Sequence, residues 1–104
     1  MGLTTDPTDP GLNNILPDGK QEKYLILSDE EIAKGFIRPY RDEYIHLKCG
    51  TVTRMGEKLS ETYARQPSFY GGTYCVTCGT HFPLKDGEGK ANFLWTKDHI
   101  PVGD

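Results

Sequence analysis

At 104 residues, 36% of them hydrophobic, the chain has material for one small core and not for a second domain. Its net charge of −3 is uneven: residues 1–31 carry seven acids against Lys20 and Lys23, and residues 34–65 carry seven basic groups against four acids. That balance falls short of a dedicated nucleic-acid footprint, no apolar run nears the roughly 18 residues of a membrane span, and three cysteines are an odd count for a disulfide framework. The expected setting is reducing and cytoplasmic.

Residues 1–22, MGLTTDPTDPGLNNILPDGKQE, are rich in proline and glycine and offer Leu3, Leu12, Ile15 and Leu16 as their large apolar groups. Too few apolar groups are present to offset the entropy of ordering them. The segment therefore reads as an extended, irregular or disordered tail. It is expected to be dispensable for folding and to serve partner binding, ahead of a metal-binding domain over 23–104. KYLIL, Lys23 to Leu27, is a short strand candidate. In SDEEIAKGF, Ser28 and Glu31 form a capping box at a helix start, which Gly35 weakens and Pro39 closes. RDEYIHLK then runs extended. TRMGEKLSETYARQP is the best helix, with Met55, Leu59 and Tyr63 on one face and Pro67 as its stop. SFYGG turns the chain into TYCVTCGTHFPL, a second extended region. KDGEGK is a loop, and ANFLWTKDHIPV predicts a hairpin with arms Phe93–Trp95 and Ile100–Val102. Together these elements predict an α+β fold of short β-hairpins with one or two short helices.

Two short stretches repeat one grammar. YIHLKCGTV contains His46, two spacers, Cys49 and Gly50; TYCVTCGTHF contains Cys75, two spacers, Cys78 and Gly79. Zinc prefers four tetrahedral ligands drawn from thiolate and imidazole, and paired ligands two residues apart are its usual grip. The two spacers let the chain turn so that both side chains face one ion, and the glycine permits a positive φ. His46, Cys49, Cys75 and Cys78 therefore form a candidate zinc site with three cysteines and one histidine. His81, three residues beyond Cys78, is the alternative fourth ligand, although the first knuckle would then supply Cys49 alone. A redox pair is disfavoured because no helix start follows Cys75. A deaminase would need a glutamate two residues after its histidine and a proline before its first cysteine, where this chain has Lys48 and Tyr74. With four ligand positions filled, no enzymatic activity is expected.

The two glycine-terminated knuckles resemble the zinc-ribbon group, in which paired knuckles on β-hairpins clamp a structural zinc. The resemblance covers about Tyr44 to Leu84, with His46 replacing the commoner cysteine and a helix inserted between the knuckles; a treble-clef-like arrangement is the alternative. The chain, with its ETYARQPSFYGGTYC segment, also resembles small uncharacterised zinc proteins of bacteriophages and prophages. That implies a host-cytoplasmic or virion-associated location and no particular activity.

The remaining candidates are contact residues. Arg38, Tyr40, Arg41, Tyr44, Lys48 and Arg54 interleave aromatic and basic groups, the composition of a partner or nucleic-acid surface. The expected role is a protein-interaction or assembly adaptor bound to another protein or a multi-subunit assembly. A nucleic-acid-binding zinc-ribbon module is the second reading.

Overall fold

Seven strands of three or four residues form three small sheets, joined by two α-helices, in a computed structural model that describes residues 2–104. In chain order these are β1 (Gly2–Thr4), a 3-10 turn (Pro10–Asn13), β2 (Lys23–Leu25), α1 (Asp29–Ile32), β3 (Glu43–His46), β4 (Val52–Arg54), α2 (Glu57–Arg65), β5 (Gly72–Cys75), β6 (Thr80–Pro83) and β7 (Phe93–Trp95). The α+β class follows from strands too short to bury a core alone, closed by the apolar face of α2.

The central sheet has the order β4-β3-β7, all antiparallel. Its register sets Tyr44 opposite Trp95 and His46 opposite Phe93, on the buried face of the alternating strand. Tyr44, Phe93, Trp95 and Tyr63 then meet edge to face, with centroids 5.4 Å apart for Tyr63–Trp95 and 5.5 Å for Tyr44–Phe93. Two of the three expected stripe residues lie on α2 and face the core, Tyr63 buried and Leu59 packed against it, while Met55, also buried, precedes the Gly56 N-cap because the helix begins two residues later. Ser28 caps α1, accepting a hydrogen bond from the Glu31 amide at 3.3 Å. The C-terminal hairpin reduces to one bridge, Leu94 with Pro101, because β7 pairs chiefly with β3.

The N-terminal segment departs from the expected tail. β1 pairs in parallel with β2, so the segment shares a sheet with residues beyond 22. The radius of gyration, 13.3 Å, matches the roughly 13 Å of a compact chain this long, which leaves no room for an extended tail. The physical reason is that the partners come from elsewhere in the chain. The Tyr74 hydroxyl donates to the Asp18 carbonyl at 2.5 Å, just as the Tyr70 hydroxyl donates to Leu25 at 2.5 Å, and the Tyr24 hydroxyl lies 2.8 Å from His81 Nε2. Gly19 (φ +89°) packs backbone to backbone on the second knuckle; a Cβ there would sit 1.8 Å from the Gly79 carbonyl oxygen. Composition within the segment counts none of these groups.

Candidate metal centre

Each knuckle sits at the tip of an antiparallel hairpin, β3–β4 for the first and β5–β6 for the second. The two tips close alike. The Gly50 amide donates to the His46 carbonyl at 2.7 Å, and the Gly79 amide donates to the Cys75 carbonyl at 2.9 Å. Gly50 and Gly79 adopt φ of 72° and 66°, the left-handed turn that the repeated grammar requires. The α2 helix fills the 25-residue interval between Cys49 and Cys75 and returns the chain to the same place.

His46, Cys49, Cys75 and Cys78 converge, with their ligand atoms all within 4.8 Å of one another. Cys49 Sγ lies 3.3 Å from His46 Nδ1 and 3.5 Å from Cys75 Sγ, and Cys78 Sγ lies 3.8 Å from His46 Nδ1. A tetrahedral zinc with ordinary bond lengths has edges of about 3.8 Å between sulfurs and about 3.6 Å between nitrogen and sulfur. The observed separations fit those edges, and the four residues could hold a metal ion. His46 and Cys75 are buried, whereas Cys49 and Cys78 are exposed, so the centre lies at the surface with one side anchored in the core.

The surroundings prepare the ligands unequally. His46 is held between Phe82 and Phe93, at centroid distances of 4.5 and 4.7 Å, which fixes the ring with Nδ1 toward the cysteines. The hydroxyl and amide of Thr51, hydrogen-bonded to Cys49, lower its thiol to about 6 in the metal-free protein. Hydrogen bonding to Cys75 holds Cys78 protonated, up to about 11. A metal ion bound here would therefore find one thiolate ready and displace a proton from Cys78. Thr51 escaped the sequence reading, because nothing in its spacing distinguishes it from an ordinary turn residue.

His81 lies outside the cluster. Its ring packs edge-on against Tyr74, and its Nε2 meets the Tyr24 hydroxyl, so it fastens the N-terminal layer to β6. Burial lowers its pKa. His46→Ala should accordingly reduce retained metal several-fold, measured as metal per chain after dialysis against a weak chelator. His81→Ala should leave metal content unchanged and lower the melting temperature instead. The reverse order would move the fourth ligand to His81.

The contact candidates divide. Arg38, Tyr40, Lys48 and Arg54 are exposed. Arg41 and Tyr44 are not available to a partner: they are 5% and 2% exposed. Arg41 Nη1 bonds both carboxylate oxygens of Asp98, at 3.0 and 3.2 Å, and its guanidinium lies 5.0 Å from the Trp95 ring centroid. Tyr44 donates its hydroxyl to the Tyr74 carbonyl, joining the two hairpins, and burial raises its pKa to about 12. Arg54 is paired with Glu43 at 3.2 Å. Among the described residues, no helix is long and apolar enough to cross a membrane. Comparison of the chain with protein-family models, with curated proteins and with solved structures finds no match.

Proposed function

We propose that the centre binds one zinc ion as a structural cross-link between the two hairpins, and that the protein is a non-enzymatic adaptor for another protein or an assembly. The observation that supports this is the donor set: three sulfurs and one nitrogen at tetrahedral spacing, all from the chain, which fill the positions zinc prefers. When bound, zinc supplies the cross-link that a core of this size lacks. Catalytic zinc sites ordinarily keep one position for water, which the fourth protein ligand would take on this reading.

The partner surface we propose is the segment Phe36–Tyr40. Phe36, Ile37 and Tyr40 are 46%, 57% and 39% exposed, and Arg38 stands among them. Aromatic, aliphatic and arginine side chains of this kind dominate the energetic centres of protein interfaces. The nucleic-acid reading keeps Arg38, Lys48 and Arg54 once Arg41 is assigned to the core. Engaging all three with a duplex gives a log–log salt slope near −2.7, at about −0.9 per phosphate.

A tagged chain used to capture proteins from its source cells tests the reading. One protein should be retained by the wild type and lost with Phe36→Ser plus Ile37→Ser, and its retention should change little as salt is raised. A sub-micromolar DNA or RNA complex at about 150 mM salt, abolished by Arg38→Glu with Lys48→Glu, would replace this reading with the nucleic-acid one.

A further inference from the structure

The N-terminal layer and the body enclose a half-open cleft of about 480 Å³ that contains none of the four candidate ligands. Leu12 and Leu25 contribute apolar surface from the N-terminal layer, and Met55 and Leu59 contribute it from the body. That volume lies in the range of small-molecule sites, which combine apolar walls with a few directed polar groups.

Three observations select the chemistry of an occupant. No aspartate or glutamate lines the cleft, although the chain has 15 acids against 12 basic residues, while Lys20 lines it, as does Arg54, whose charge is already met by Glu43 at 3.2 Å. Lys20 has no carboxylate within ion-pair distance among the described residues. Gly56, also in the lining, is the N-cap of the nine-residue α2 and supplies no side-chain acceptor to the amides of the first turn. Thirdly, Tyr63 lines the same cleft, is 4% exposed, and has a buried hydroxyl that makes no well-formed hydrogen bond: the Thr73 hydroxyl beside it donates instead to the Tyr44 hydroxyl at 3.2 Å. Burial keeps the Tyr63 hydroxyl neutral, so it remains a donor. A poorly paired buried donor is costly, and an acceptor brought by a ligand would satisfy it.

We propose that the cleft binds a small apolar anion: an aromatic or hydrocarbon molecule of about 12 to 20 non-hydrogen atoms, one carboxylate included. The body packs on the leucine and methionine surface, and the carboxylate faces the Lys20 and α2 amide side. This site is independent of the adaptor reading and of the identity of the metal.

Naphthoate serves as the probe, titrated into the metal-loaded full chain and followed by NMR, with naphthol and naphthylmethylammonium as neutral and cationic counterparts. Saturable shifts centred on Leu25, Met55 and Leu59 are expected, with a dissociation constant on the order of 100 µM for naphthoate. Naphthylmethylammonium should bind at least about tenfold more weakly. Lys20→Glu, which breaks no ion pair, should weaken naphthoate about tenfold while leaving naphthol binding and the melting temperature unchanged. Tyr63→Phe should weaken naphthoate roughly threefold without lowering the melting temperature. Absence of saturable binding, equal affinity for the anion and the cation, or shifts centred outside the cleft would each overturn the proposal.

Discussion

Cys75→Ser should yield a chain that neither holds metal nor keeps its two hairpins together. Cys75 is fully buried within the hydrophobic cluster and lies 3.5 Å from Cys49 Sγ, so its loss removes a ligand and a core contact together. Structural zinc in finger peptides contributes about 10–16 kcal/mol at neutral pH, against the roughly 5–15 kcal/mol net stability of ordinary domains. Near-UV circular dichroism from Trp95 and the buried tyrosines should collapse, and elemental analysis should find no zinc. Cys49→Ser and Cys78→Ser, at exposed positions, should lose metal more readily than wild type but retain more of that signal. Acid should act in the same direction. Thiolate stabilisation at Cys49 is fully present above its ordinary value of 9.0 and is lost as pH falls through about 6, so metal affinity decreases on acidification and not on alkalinisation. A Cys75→Ser protein with the wild-type melting temperature and no metal would show that the centre is not integral to the fold.

Deleting residues 1–22 should lower the melting temperature by roughly 10–25 °C with the metal retained. The deletion removes the β1–β2 pairing, the hydrogen bond from Tyr74 to Asp18 and the apolar contact of Leu12 with the cleft. At about 1 kcal/mol per hydrogen bond plus the apolar term, the loss is on the order of 2–4 kcal/mol. Gly19→Ala is the single-residue counterpart. It forces a side chain into a positive φ and onto the Gly79 carbonyl, and should cost about 2 kcal/mol or more. Because Gly79 closes the second knuckle, this substitution should also loosen the metal, which a chelator competition would read. A melting temperature within a couple of degrees of wild type for the deletion would return the segment to the status of a tail.

The candidate ligand set was legible because its information is local: two spacers and a glycine specify a turn, and a turn specifies which side chains face inward. The same holds for the capping box of α1 and the stripe on α2, both set by neighbours within one or two turns. Tertiary structure decided what depends on distant partners. Arg41 and Tyr44 read as surface residues beside their basic neighbours, yet Asp98 and Trp95 neutralise and cover the first, and the Tyr74 carbonyl accepts the hydroxyl hydrogen bond of the second. His81 carries a ligand's chemistry at a ligand's spacing, but the Tyr24 hydroxyl claims its Nε2. The N-terminal segment is the largest case. Its own composition supplies too little apolar surface for order; beyond its pairing with β2, it is held by the Tyr74 hydroxyl and the Gly79 backbone, both more than fifty positions away, which no local pattern encodes.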